Sequence, residues 1–210
     1  MPINEKYKIL FIHIPKTAGS SIEIFFNMQR REMFYQSSPA YTIDTVRYAP
    51  QHFTAEIMKK KFPQFDMYFK FAFVRNPYDR LLSEYYFMHQ GRRGIDINFF
   101  NNIPRFERWA FGYLNKKGKE FTNCYCHKIE QYRYLYDGTG KQLIYSIGKY
   151  ENLQEDFNKI LKIMDYQGSG KLMKSQSAKY DKNKKLLTDK VKHRIKDVYY
   201  ADFKLFNYKF

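Results

Sequence analysis

The alternation of short apolar segments with segments of helical periodicity is the feature that most constrains the fold of this chain. Residues 7–14, 69–74 and 142–148 are mostly apolar runs of strand length, and such runs are typical of strands that are covered on both faces. Apolar residues recur at helical spacing between and after these runs. This order predicts an α/β fold with a central parallel sheet flanked by helices. The N-caps that we expect are Ser20 or Ser21, Asn76 and Asn152, and two further helices are expected to begin at Thr54 and Thr188.

The length and composition of the chain predict one domain with a substantial core. Its 210 residues include 44% apolar side chains, among them 20 Tyr and 20 Phe, a composition that excludes an intrinsically disordered chain. We expect a single domain over residues 1–210. It would consist of an α/β core in residues 1–166 and a basic loop and terminal helix in residues 167–210 that pack back on the core.

The chain is strongly basic, and its charge is unevenly distributed. Thirty-seven Lys and Arg residues against 21 Asp and Glu residues give a net charge of +16. Residues 171–196 contain ten basic and two acidic side chains, a net charge of +8. This basicity indicates a polyanionic partner, and the alternative is a lysine-rich surface without a function of its own.

Cysteine content and hydropathy indicate the compartment. Cys124 and Cys126 are the only cysteines, which excludes a disulfide framework and favours a reducing environment. No stretch approaches the 18 apolar residues of a membrane span, and the N-terminal residues lack a signal-peptide pattern. We therefore expect a cytoplasmic protein without a membrane span.

The segment Ile14-Pro-Lys-Thr-Ala-Gly-Ser-Ser21 links the first predicted strand to a helix. Unpaired N–H groups where a loop enters a helix bind phosphate-like anions. Gly19 lets the backbone approach an anion, the Ser20 and Ser21 hydroxyls are donors, and a lysine adds charge. An ordinary βα loop with a surface lysine fits the segment about as well. The nucleotide-binding pattern G-x-x-x-x-G-K-[ST] is absent, which disfavours ATP or GTP hydrolysis.

A second strand-to-helix junction contains an arginine and a serine. Arg75 follows the 69–74 strand directly, and Ser83 lies about two turns into the next helix. An arginine fork and a nearby hydroxyl suit a phosphate monoester. The alternative is that Arg75 pairs with Asp79 or Glu84 and that Ser83 is a solvated helix position. That alternative weakens if both loops end adjacent parallel strands, since the two sites would then face one ligand.

Together these segments resemble the signatures of the carbohydrate sulfotransferases, the family that includes the heparan sulfate 2-O and chondroitin enzymes. The resemblance lies in Ile14-Pro-Lys-Thr-Ala-Gly-Ser-Ser21 and Val74-Arg-Asn-Pro-Tyr-Asp-Arg-Leu-Leu-Ser83, and extends to Lys149-Tyr-Glu-Asn-Leu153 and Tyr200-Ala-Asp-Phe-Lys-Leu-Phe-Asn-Tyr208. It implies a three-layer, P-loop-like fold. It also implies 3′-phosphoadenosine-5′-phosphosulfate (PAPS) as the donor.

The resemblance assigns three groups of residues to donor binding. The first loop would hold the 5′-phosphosulfate, and Arg75 and Ser83 would hold the 3′-phosphate. Lys174 and Ser175 belong to a late loop that would close over the donor, although their sequence context departs from the family pattern. The first-loop residues in this set are Pro15, Lys16, Thr17, Ala18, Gly19, Ser20 and Ser21.

Transfer to an alcohol needs a group that takes its proton, and a neutral imidazole suits that role near pH 7. His52 precedes the Thr54 helix, where the resembling enzymes place a histidine on the acceptor side. We expect His52 to act as the general base and Lys16 to stabilise charge on the leaving phosphate. The alternative for His52 is a loop histidine without a chemical role.

The other four histidines have structural interpretations. His13 lies in the first predicted strand and is expected to have a core or supporting role. His89 and His193 lie on predicted helices and are expected to be solvated. His127 ends a Cys-x-Cys-His sequence. Its three donors are close together and lack a distant fourth, so we expect no metal site.

The expected reaction is transfer of a sulfuryl group from PAPS to an acceptor hydroxyl, most naturally that of a glycan. The alternative is a basic, aromatic-rich nucleic-acid-binding protein without catalysis. Against it, aromatics such as Phe69, Phe71 and Phe73 lie at core spacing. An inactive PAPS-binding module would lack a site residue, and none is missing. Golgi relatives carry an N-terminal membrane anchor, so its absence favours a bacterial or viral origin.

Overall fold

The computed structural model describes residues 2–28, 42–43, 46–47, 50–89, 101–115, 125–173 and 183–210. The strands in these ranges are β1 (Ile3–Asn4), β2 (Ile9–Ile12), β3 (Thr42–Ile43), β4 (Val46–Arg47), β5 (Phe69–Val74) and β6 (Ser146–Lys149). The α-helices there are α1 (Gly19–Phe25), α2 (Ala55–Lys61), α3 (Pro77–His89), α4 (Ile103–Asn115), α5 (Leu153–Ile163), α6 (Asp189–Val198) and α7 (Tyr200–Leu205). Short 3-10 helices span Pro50–His52, Phe65–Met67, Gln131–Tyr134, Tyr150–Asn152 and Lys184–Leu186. Lys174, Ser175 and Cys124 lie outside the described residues.

The central sheet has four strands in the order β1-β2-β5-β6. Strands β2, β5 and β6 are parallel, with Ile12 opposite Ala72 and Val74 opposite Lys149. Strand β1 pairs with β2 in the antiparallel sense, and β3 and β4 form a separate antiparallel pair. The predicted α/β fold with a central sheet flanked by helices is confirmed. The antiparallel edge strand β1 was not predicted, because two residues are too few to show a periodicity.

Contacts between residues divide the chain into two compact units. The first contains Met1–Arg75 and Lys119–Ser175, and the second contains Asn76–Gly118 and Gln176–Phe210. The central sheet lies in the first unit. The single-domain organisation with a boundary at residue 166 remains a prediction.

The first unit has an apolar core on one face of the sheet. Phe11, Phe71 and Phe73 are fully buried there, together with Ile22 of α1 and Phe157 of α5. Alternate residues of a strand share a face, and α5 places Phe157, Ile160 and Leu161 on one side. The apolar runs and the helix stripe therefore meet in one core, as their spacing indicates.

The second unit is a helical cluster rich in aromatic side chains. Tyr85 and Phe106 are fully buried, and Trp109 packs against this cluster with its ring 4.8 Å from that of Tyr85. His89 is half-buried, with its ring 4.5 Å from Tyr85, so the expectation that it is solvated is wrong. His193 of α6 is exposed, as predicted.

None of the helices in the described part of the chain is long and apolar enough to cross a membrane.

Two of the predicted helices begin with a side-chain capping hydrogen bond. Thr54 precedes α2, and its Oγ1 accepts from the N–H of Ile57 at 3.2 Å. Asn76 precedes α3, and its Oδ1 accepts from the N–H of Tyr78 at 2.9 Å. These caps depend only on residues within one turn, and sequence alone therefore locates them.

The other predicted helices begin without a side-chain capping bond. The N-cap of α1 is Ala18 rather than Ser20 or Ser21, because the chain enters α1 in a left-handed conformation at Ala18. Asn152 is the N-cap residue of α5, as predicted, but its side chain makes no capping bond, and a 3-10 turn leads into the helix. Thr188 is likewise the N-cap residue of α6 without such a bond, and its hydroxyl donates to Glu107.

We predict that Gly148→Ala lowers the free energy of unfolding by about 1–3 kcal/mol, the usual cost of overpacking a core. A Cβ at this position in β6 would lie 2.4 Å from the buried Phe73 ring. Urea unfolding followed by circular dichroism measures the change. Gly138→Ala is the matched control, because Gly138 is exposed and has no atom within 4 Å of an added Cβ. Equal stability of the two variants would contradict this account.

Candidate active site

The loop between β2 and α1 has an unusual backbone that its own side chains stabilise. Lys16 and Ala18 both have positive φ, 69° and 70°, which costs an L-residue about 1–2 kcal/mol each. Thr17 is buried between them, and its hydroxyl donates to the Ile14 carbonyl at 2.9 Å. Backbone outliers of this kind concentrate where a loop clamps a ligand. Lys16 itself is partly exposed.

Glycine at position 19 is required by a close contact with His13. A Cβ at Gly19 would lie 2.1 Å from two atoms of the His13 imidazole. The ring therefore packs directly against the backbone where the loop enters α1. His13 follows β2 and is buried, which agrees with the supporting role expected from the sequence.

A buried polar network surrounds His13. Its Nδ1 donates to Glu23 Oε1 at 2.6 Å, and the Glu23 carboxylate is fully buried. The side-chain amide of Gln51 donates to both Glu23 oxygens, at 2.9 and 2.8 Å. Burying a carboxylate is costly unless it is hydrogen-bonded, so these three side chains depend on one another. They fix the His13 ring and the backbone beside it.

His52 is anchored to the same place through the backbone of His13. Its Nδ1 lies 2.8 Å from the His13 carbonyl oxygen, and the two rings are 4.6 Å apart. A carbonyl only accepts, so Nδ1 carries the hydrogen and Nε2 keeps its lone pair in the neutral ring. His52 is buried. Its ring also lies 5.2 Å from that of His127.

Arg75 leaves the carboxyl end of β5 in a fixed orientation. The Gln131 side chain accepts from the Arg75 backbone N–H and donates to its carbonyl, both at 2.8 Å. The guanidinium donates to the Lys16 carbonyl at 3.1 Å and stacks on the Tyr150 ring at 3.8 Å. A planar guanidinium held in this way is suited to binding an oxyanion with several acceptor atoms.

Strand β6 adds a third cation at the same edge of the sheet. Lys149 is opposite Val74 in the parallel register, and its N–H donates to Asp156 at 2.9 Å. The carboxyl ends of β2, β5 and β6 therefore lead to Lys16, Arg75 and Lys149. This edge is where parallel α/β sheets bind ligands.

The first unit thus brings together most of the predicted site residues. The loop, Arg75 and His52 lie at or next to the ends of adjacent strands. Ser83 is a buried residue of α3 in the second unit, so its interpretation as a solvated position is wrong, while its part in a phosphate site remains a prediction. Asp79 pairs with Lys184 at 3.7 Å.

Sequence reasoning missed four residues that support the site: Glu23, Gln51, Gln131 and Tyr150. Only Glu23 carries a local signal, as a single acid within the apolar run Ile22-Glu-Ile-Phe-Phe26. A charge in such a run indicates a buried partner. Gln51, Gln131 and Tyr150 are recognised only in the folded chain, because each contacts a residue that is distant in sequence.

We predict that Glu23→Ala lowers the free energy of unfolding by about 1–3 kcal/mol, because it leaves the buried His13 and Gln51 donors without their carboxylate acceptor. Denaturant unfolding measures the change. Glu56→Ala is the matched control: Glu56 bonds Lys60 on an exposed helix face at 2.8 Å, a pair that contributes well under about 1 kcal/mol. If the two variants lost equal stability, the network would not hold the site.

Comparisons with known proteins agree with this geometry. The model described as the Sulfotransferase family matches residues 1–209. A protein of Archaeoglobus fulgidus described as an uncharacterized protein is 29% identical over 98 residues, which are 47% of this chain and 68% of that protein. No solved structure matches the chain with significance. Since the family match spans nearly every residue and includes the loop, Arg75 and His52, the chain belongs to the sulfotransferase family.

Proposed function

We propose that the protein transfers a sulfuryl group from PAPS to a hydroxyl of a carbohydrate acceptor. One observation carries the proposal: the β2–α1 loop and Arg75 meet at the ends of adjacent parallel strands, with Lys16 and Arg75 joined by a 3.1 Å hydrogen bond. Sulfuryl transfer is the chemistry of the family. The donor has anionic groups at both ends, and the site has cations to match.

The residues present fit the two ends of the donor. The loop Pro15, Lys16, Thr17, Ala18, Gly19, Ser20 and Ser21 would hold the 5′-phosphosulfate, and the bond from the buried Thr17 hydroxyl to the Ile14 carbonyl fixes its backbone. Arg75 would hold the 3′-phosphate through its guanidinium, which Tyr150 supports from one face. Ser83, Lys174 and Ser175 are assigned to the donor by resemblance to the family.

In the proposed step, the acceptor oxygen forms a bond to sulfur while the bond between sulfur and the bridging phosphate oxygen breaks. The acceptor proton passes to Nε2 of His52. The electron pair of the broken bond leaves on the 5′-phosphate of adenosine 3′,5′-bisphosphate. Lys16 balances the negative charge that develops there, so the step needs no metal ion.

The hydrogen bonds around His52 suit a general base. The bond from Nδ1 to the His13 carbonyl fixes the ring and directs Nε2 away from the backbone, the tautomer in which Nε2 accepts a proton. His13, held by Glu23, cannot turn toward the acceptor without breaking the buried network. His52 is therefore the base, and His13 is a positioning residue.

No observation favours the nucleic-acid-binding alternative. Phe71, Phe73 and Phe106 are completely buried, and a buried ring offers no surface for base stacking. Lys16, Arg75 and Lys149 follow the ends of adjacent strands at one edge of the sheet, a placement that suits a compact anion. A basic surface would also attract an acidic glycan.

We predict that the protein transfers labelled sulfate from PAPS to at least one member of a panel of glycans, and that His52→Ala lowers this rate by 100-fold or more, the usual contribution of a general base. Scintillation counting of the separated acceptor measures the rate. His193→Ala, an exposed histidine of α6, should retain the wild-type rate.

The proposal fails if no glycan, protein or envelope extract accepts sulfate although the protein binds adenosine 3′,5′-bisphosphate tightly. That outcome would leave a donor-binding module. If His52→Ala kept most of its activity, the transfer would stand and the assignment of the base would be wrong.

We predict that Arg75→Ala weakens binding of adenosine 3′,5′-bisphosphate at least tenfold, because a charge-assisted hydrogen bond contributes about 1.5–3 kcal/mol. Isothermal titration calorimetry measures the affinity. Arg108→Ala, an exposed residue of α4, is the matched control and should bind as the wild type does. Equal affinities in the two variants would remove Arg75 from the donor site.

A further inference from the structure

The proposed base, His52, is one of three metal-ligating side chains that lie close together. Nitrogen and sulfur atoms of His52, Cys126 and His127 all lie within 4.8 Å of one another. Cys126 is buried and its thiol is not in a disulfide. His52 comes from a segment more than seventy residues earlier in the chain, so the fold supplies the distant donor that the Cys-x-Cys-His spacing lacks.

Two hydrogen bonds order the backbone that carries Cys126 and His127. A tight turn joins Tyr125 to Lys128 through a 2.9 Å hydrogen bond, and the fully buried Tyr134 donates its hydroxyl to the Cys126 carbonyl at 2.6 Å. Two of the three donors are thus held in place by contacts that involve neither the thiol nor the imidazole. A site whose backbone is already ordered loses less entropy on binding an ion.

The chemistry of this donor set selects zinc. Two imidazoles and a thiolate, with no carboxylate among them, suit Zn²⁺ and disfavour Mg²⁺ or Ca²⁺. Tetrahedral Zn²⁺ with Zn–N near 2.0–2.1 Å and Zn–S near 2.3 Å sets its ligand atoms roughly 3.4–3.6 Å apart. The ligand atoms now lie within 4.8 Å of one another. Side-chain rotations that move them by about 1 Å would bring them to the distances that zinc requires. The fourth position would stay open to water.

The hydrogen bond of His52 prepares the ring for a metal as well as for a proton. A ligating histidine commonly donates its other ring N–H to a carbonyl or carboxylate, which fixes the tautomer and strengthens the ligand. His52 makes this bond through Nδ1 to the His13 carbonyl. The atom left for the metal is Nε2, the same atom that takes the proton in the proposed transfer.

We propose that His52, Cys126 and His127 form a zinc site whose occupation reversibly blocks sulfuryl transfer. The ion and the acceptor proton compete for Nε2 of His52, so a chain with bound zinc has no base. The blocking effect rests on the proposed function, whereas binding of the ion does not. His127 is half-buried, which gives the ion a route from solvent.

Metal binding is tested first, without reference to activity. Metal-free protein is titrated with Zn²⁺ in competition with a chromophoric chelator, and with Co²⁺ as a spectroscopic substitute. We expect one ion per chain and a thiolate-to-cobalt absorption band. Cys126→Ala should lose the band, and both Cys126→Ala and His127→Ala should bind zinc at least tenfold more weakly. His193→Ala is the matched control and should bind as the wild type does.

Cys126→Ser covers the case in which the alanine variant does not fold, since it keeps nearly the same shape. The zinc site is refuted if the wild type does not compete with the chelator, or if the Cys126 and His127 variants bind zinc as tightly as the wild type.

Inhibition is tested separately in the sulfate-transfer assay, with each variant scaled to its own rate without zinc. The zinc concentration that halves the rate should be at least tenfold higher for His127→Ala than for the wild type. Zinc should leave the affinity for adenosine 3′,5′-bisphosphate unchanged. Tight zinc binding without inhibition would refute the inhibition of sulfuryl transfer and would still support the zinc site. Absence of transfer under every condition would refute the proposed function alone.

Discussion

Parallel pairing of β2 with β5 is the constraint on which the candidate site depends. Lys16 and Arg75 are 59 residues apart in sequence, and only the register of these strands brings their loops to one edge. Strand β6 continues the pattern, because its pairing with β5 aligns Lys149 with Val74 and brings Tyr150 under the guanidinium. Because these groups are far apart in the sequence, any shift of the strand register would separate them.

The buried Glu23 carboxylate is the second requirement, and it acts on the orientation of the histidines. A carboxylate removed from water stabilises the fold only when its hydrogen bonds are complete, and here His13 and Gln51 complete them. Gln51 precedes His52 in the chain, so the same network that satisfies Glu23 also fixes the backbone of the proposed base. These buried hydrogen bonds therefore contribute more to the orientation of the two histidines than to the stability of the fold.

The features that sequence predicts are those with a local physical cause. The β5 run Phe69–Val74 and the Thr54 and Asn76 caps follow from side chains within a few positions. The cap of α1 was mispredicted because the N-cap position falls on Ala18, which has a left-handed conformation and no side chain that could cap the helix. The loop and Arg75 were found through their motif, whereas the Gln131 clamp 56 residues from Arg75 has no local signature.

The net charge of +16 is less informative than where individual cations lie. Lys60, Lys159 and Lys192 are paired with carboxylates on exposed helix faces, and such pairs belong to an ordinary solvated surface. Arg75 lies instead at the carboxyl end of a buried strand, where its bond to the Lys16 carbonyl and the Tyr150 ring orient its guanidinium. A cation fixed in this way selects an anion by shape, whereas a mobile surface lysine attracts any polyanion alike. The ordered guanidinium therefore favours a compact oxyanion, and the rest of the charge does not distinguish a glycan partner from none.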